Sequence, residues 1–94
     1  MTNFIEKLED IIKDRKQNPS AESYTSRLIA GGIDRVLKKI GEEAGELIIA
    51  TKNHDKTEIK NEAADLIFHL LIVLQEEGLS LKDVSTVLEQ RHKK

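Results

Sequence analysis

The sequence predicts an all-α fold: a helical hairpin-based bundle, completed by dimerisation. Apolar residues recur at helical rather than alternating spacing, and the chain holds a single proline, Pro19. The run from Leu66 to Leu74 is apolar all round the helix except at His69. A helix apolar on every side must be buried on every side. The remaining helices of a 94-residue chain can hardly surround it. A second subunit is therefore expected on its free face, most simply in a two-fold homodimer.

Four helices and one shorter segment follow in order. Thr2 is placed to cap a first helix running to about Lys16, with Phe4, Ile5, Leu8, Ile11 and Ile12 at helical spacing. Asn18-Pro19-Ser20 breaks it, because the residue before proline avoids the helical region. Glu22 to Ala30 reads as a partial helix ending at Gly31-Gly32. A long helix from about Ile33 to Lys52 leads into the tight connection Asn53-His54-Asp55. Asp55 can cap the next helix, which continues through Glu77 with Gly78 as its terminator. Ser80 caps the last helix, through about Gln90, with Asp83 completing an imperfect capping box. No repeat, linker or low-complexity segment divides residues 1–94, which read as one domain.

Composition narrows the function. Apolar residues make up 38% and charged residues 34%, the balance of a well-solvated globular domain. With no cysteine, disulfides and thiolate metal sites are ruled out, which fits a cytoplasmic protein. The N-terminal segment lacks a basic region followed by an apolar one, and the Leu66–Leu74 run is too short to span a bilayer, so no membrane role is expected. A net charge of −2 and only three aromatic residues give no basis for nucleic-acid binding.

The chemistry lies in GEEAGE (41–46) and NEAAD (61–65). Glu43 and Glu46 are three apart, as are Glu62 and Asp65, so each pair shares a helix face. In an antiparallel hairpin turning at His54, positions equidistant from the turn lie at one height. Glu43 is as far from His54 as Asp65, and Glu46 as far as Glu62. Glu43 borders the apolar stripe of Val36, Ile40 and Leu47, and Glu62 that of Ile59, Leu66 and Val73. Glu46 and Asp65 stand a step further toward solvent. Four converging carboxylates repel one another unless a cation joins them. Their hard oxygens suit Mg²⁺, Mn²⁺ or Ca²⁺ rather than zinc, and the Glu-x-x-His pattern of di-iron bundles is absent. Magnesium commonly accompanies phosphate substrates. Lys39 lies one turn from Glu43 and is as far from the turn as His69; Arg27, Arg35, Lys38 and Lys52 are further cations.

These residues resemble a known family. Glu43-x-x-Glu46 followed by Glu62-x-x-Asp65 is similar to the signature of the all-α NTP pyrophosphatase (MazG-like) superfamily. SYTSRL (23–28), Gly32, KKIGEEAGE (38–46) and NEAADLIFHLLIVL (61–74) resemble its phosphoribosyl-ATP pyrophosphatase branch, over about Phe4 to Arg91. The resemblance implies hydrolysis of phosphoribosyl-ATP to phosphoribosyl-AMP and pyrophosphate, the second step of histidine biosynthesis, by a form without the domain for the next step. It implies Mg²⁺ held by Glu43, Glu46, Glu62 and Asp65, with Glu42 or Glu43 positioning the attacking water. Lys39, together with Arg27, Lys38 and His69, would meet the substrate. Gly45 departs from the alanine expected there, which weakens the helix by about 1 kcal/mol but spares every ligand. Two alternatives stand beside this reading: a pyrophosphatase of free nucleoside triphosphates, and a non-enzymatic helical dimerisation module.

Overall fold

A computed structural model describes residues 3–93. It holds five helices: α1 (Phe4–Gln17), α2 (Tyr24–Ala30), α3 (Ile33–Lys52), α4 (Lys56–Glu76) and α5 (Leu81–Arg91). No strand occurs among the described residues.

Local chemistry accounts for the boundaries. The N-cap of α1 is Asn3, whose side chain accepts from the Ile5 amide, so the cap expected at Thr2 is displaced to a residue of higher capping strength. Thr2 itself lies outside the described residues. Ser23 caps α2, and the Ser26 hydroxyl, buried at its first turn, donates to the Arg15 carbonyl and accepts from the Ser20 amide. That one side chain ties the end of α1 to the start of α2. Gly32 precedes α3 at φ 93°, a left-handed backbone that an L side chain would strain. His54 turns the α3–α4 connection at φ 56°, and Asp55 caps α4 by accepting from the Glu58 amide. At α5 the Ser80–Asp83 pair forms a complete reciprocal capping box. A carboxylate from α1 reinforces it: Glu9 accepts from the Leu81 amide at 2.6 Å.

The core consists of Ile12, Leu28, Val36, Leu71, Ile72 and Leu74, with Ile5, Leu8, Ile40, Phe68 and Val84 packed against it. Phe4, counted among the apolar positions of α1, instead stands 65% exposed. The hairpin of α3 and α4 is the most extensive packing between elements, with α1 lying on the C-terminal half of α4. α5 buries no residue fully.

The hairpin has two contrasting flanks. On α3, Lys39, Glu43, Glu46 and Ala50 recur at the spacing of one helix face, as do Leu37, Gly41, Ala44 and Ile48 two residues earlier. At about 100° per residue the two stripes lie roughly opposite each other. On α4 the same spacing sets Glu58, Glu62, Asp65 and His69 apart from Ala63, Ile67, Leu70 and Leu74. Because the helices run antiparallel, the acidic stripes share one side and the apolar stripes the other. Leu37, Ile48, Ile67 and Leu70 remain exposed on that apolar side.

The single chain is also loosely drawn together. Its radius of gyration is 14.7 Å, against about 13 Å for a compact domain of about 100 residues. Its accessible surface is 7096 Å², where a compact monomer of this mass would expose about 5,500 Å².

Candidate active site

Only three polar side chains are buried among the described residues: Ser26, Glu62 and His69. Ser26 has its structural partners. The other two lie on one face of α4 opposite Glu43, and each keeps a buried atom with no hydrogen-bond partner, Glu62 Oε2 and His69 Nε2. Burying an unpartnered polar atom is costly, so two of them on one face of α4, two turns apart, mark that face as open to a further partner.

Glu62 is 8% exposed. Its carboxyl is pushed up to about 7, first by a hydrogen bond shared with Glu46. Burial adds to this, followed by the charges of Glu46, Asp65 and Glu58. Like charges crowded around a buried carboxylate favour its protonated form. A cation there would reverse that preference.

Of the other acids, Glu46 and Asp65 act on Glu62, whereas Glu43 is not among the charges that crowd it. Glu43 is half-buried, and Glu46 and Asp65 are exposed. Glu43 Oε1 sits 2.7 Å from His69 Nδ1, which also lies 2.9 Å from the Asp65 carbonyl. Spacing alone sets His69 at the height of Lys39, yet its ring meets Glu43. Side chains lean toward the N-terminus of their own helix. In an antiparallel pair Glu43 and His69 therefore lean toward each other, and a count of backbone positions misses their contact by about a turn.

The proposed cations separate. Lys39 is half-buried on the acidic stripe and makes no ion pair within 4 Å among the described residues. Lys38 is exposed about 100° away round the helix. Arg27 turns back, its guanidinium donating to the Ala21 carbonyl at 2.8 Å. Glu42 is exposed beside Glu43. Two features escaped the sequence reading. Glu58, one turn before Glu62, adds its charge to the site, and the i, i+4 spacing could have signalled it. Tyr24 of the SYTSRL string stacks on Phe68, ring centroids 6.5 Å apart, a contact that nothing in the local sequence announces.

Among the described residues, no three His, Asp or Glu donors are already gathered as a metal cluster. The chemistry of the donor set nevertheless fits a hard divalent cation. All four carboxylates offer oxygen, one of them holds an orphaned buried oxygen, and the two exposed acids are free to turn toward it.

The profile described as Phosphoribosyl-ATP pyrophosphohydrolase matches residues 5–92. The chain is 52% identical over 89 residues to the Phosphoribosyl-ATP pyrophosphatase of Leptospira biflexa, covering 95% of this chain and 97% of that one. It is 53% identical over 81 residues to the protein of the same name from Streptococcus thermophilus, covering 86% and 78%. Against the Histidine biosynthesis bifunctional protein HisIE of Bacillus subtilis it is 48% identical over 89 residues, 95% of this chain, and spans 43% of that longer protein.

Proposed function

The chain belongs to the phosphoribosyl-ATP pyrophosphohydrolase family, and from that membership we propose that it hydrolyses phosphoribosyl-ATP to phosphoribosyl-AMP and pyrophosphate with the help of Mg²⁺. The observation that carries the metal reading is buried Glu62, crowded by Glu46 and keeping one oxygen without a partner.

Glu43, Glu46, Glu62 and Asp65 are the groups that would hold the cation. Bound there, Mg²⁺ supplies Lewis acidity toward a phosphate oxygen and an activated water. Lys39 lies on the same stripe and makes no ion pair among the described residues, suited to meet the anionic triphosphate. Exposed Glu42, on the same neighbouring stripe as Lys38, would have to reach about 100° round the helix to orient the attacking water. Arg27 takes part only if it leaves the Ala21 carbonyl, and Lys38 only by reaching round from the neighbouring stripe, so Lys39 is the first choice for phosphate recognition. His69, 4% exposed, has little surface to offer a substrate.

The proposed assembly is a homodimer through the apolar side of the hairpin. The surface in excess of a compact monomer is roughly 1,600 Å², of the order that each subunit buries in an obligate pair. Gly41 and Gly45 face open space there or at its edge, allowing close approach of another helix. No described helix is long and apolar enough to cross a membrane, and a cytoplasmic location agrees with a cysteine-free biosynthetic enzyme.

Pyrophosphate release from phosphoribosyl-ATP, measured with and without Mg²⁺, tests this reading. Mg²⁺-dependent release is expected, with ATP a poor substitute. Equal turnover of ATP would move the assignment to free nucleoside triphosphates, and turnover unaffected by chelation would remove the metal.

A further inference from the structure

His69 is buried in the wall of the acidic site, its Nδ1 2.7 Å from Glu43 Oε1 and 2.9 Å from the Asp65 carbonyl. A backbone carbonyl can only accept, so Nδ1 carries the hydrogen whatever the protonation state of the ring. That hydrogen is shared between a carboxylate of α3 and the backbone of α4. The contact joins the two acid-bearing helices at the level of the cluster. The ring is held in turn by Phe68, edge-on with centroids 5.1 Å apart.

An ordinary stabilising pair would not need this arrangement. The side chains of His69 and Glu43 are 5% and 13% exposed, and taking such groups out of water offsets most of the attraction between them. The ring also leaves Nε2 buried without a partner. What the contact does supply is direction, because a hydrogen bond at Oε1 restrains rotation of the Glu43 carboxylate while Oε2 has no hydrogen-bond partner among the described residues.

We propose that His69 is a positioning residue for the metal site, orienting Glu43 through Nδ1–H so that a divalent cation meets a preset oxygen rather than a freely rotating carboxylate. This rests on the reading of Glu43 as a metal ligand. Partners of this kind usually change metal affinity by about 10–100-fold when removed.

Direct Mn²⁺ binding, followed by electron paramagnetic resonance without substrate, tests it on the full-length protein. Three chains are compared: wild type, His69→Asn and His69→Gln, each with its melting temperature. An asparagine amide can reach the place of Nδ1, whereas the glutamine amide reaches that of Nε2. The expected result is Mn²⁺ affinity within about threefold of wild type for His69→Asn and at least about tenfold weaker for His69→Gln, at similar melting temperatures. Equal affinity in the two variants, whether both strong or both weak, overturns the positioning role while leaving the metal site standing. Should either variant melt far below wild type, Glu43→Asp in the wild-type background replaces the pair. It shortens the reach to His69 while keeping the carboxylate, and undiminished Mn²⁺ affinity then overturns the proposal. Wild-type protein that binds no Mn²⁺ defeats the metal reading itself, and this inference with it.

Discussion

The two flanks of the α3–α4 hairpin are built on one spacing and differ only in what occupies it. Lys39, Glu43 and Glu46 face Glu58, Glu62, Asp65 and His69 on one side, while Leu37, Gly41, Ala44 and Ile48 lie beside Ala63, Ile67 and Leu70 on the other. Each flank is left incomplete in the single chain. On the acidic side the deficit is electrostatic: Glu62 pushed up to about 7 and an oxygen without a partner. On the apolar side it is hydration, with Ile48 64% exposed and Leu70 41%. The lesson is that periodicity places side chains but does not say what completes them. Charge crowding calls for a cation, and exposed apolar surface for another protein surface.

Removing an acid gives the largest expected effect. Glu46→Ala or Asp65→Ala should lower turnover by at least about a hundredfold, as for loss of a well-placed electrostatic group, while the metal-free fold melts no earlier because repulsion is relieved. Turnover above a tenth of wild type in either variant would strike that residue from the ligand set. Charging the opposite flank should leave the acids alone and act on assembly. Ile67→Lys would place an unpaired ammonium in the proposed interface, so light scattering should report a monomer at micromolar concentration for the variant and a dimer for wild type. A dimeric variant would move the interface elsewhere, and a monomeric wild type would remove it.

A smaller loss separates phosphate contact from metal contact on the acidic flank itself. Lys39→Ala should cost on the order of 2–4 kcal/mol in kcat/KM without moving the Mg²⁺ midpoint, whereas Glu43→Gln should raise that midpoint. Near-normal kinetics would mean that Lys39 only softens the acids along its helix, an effect of a few tenths of a kcal/mol.

The mildest effect is the pH dependence of stability. Glu62 binds its proton more tightly folded, at about 7, than at its ordinary 4.5. That contribution is complete below about 4.5 and is lost as pH rises through about 7. Metal-free protein should therefore melt at lower temperature at about pH 8 than at about pH 6, and Glu62→Gln should shrink the difference. Saturating Mg²⁺ should oppose the trend, since a cation favours the ionised carboxylate. A difference that survives in Glu62→Gln would assign it to another group.

Much of the architecture was legible in the residues because its causes are local. Asp55, Ser80 with Asp83, and the glycines after α2 and α4 act on amides within a few positions, and the helices end where they indicate. The acid pairs followed from helical spacing and the symmetry of a hairpin about His54. The family resemblance likewise rested on contiguous strings. Other features depend on neighbours distant in sequence. Glu9 reaches the start of α5 only because α1 packs nearby, and Tyr24 finds Phe68 only because α2, packed on α1 and α3, brings its ring within reach of α4. Arg27 was available as a phosphate ligand in sequence, and the folded chain turns it onto Ala21. His69 shows the limit most clearly. Its place on the acid-bearing face was set by spacing, but its partner was set by the opposite lean of side chains on two antiparallel helices. Periodicity determines which face a residue occupies. Reach, tilt and burial, which belong to the packed pair, decide what it touches.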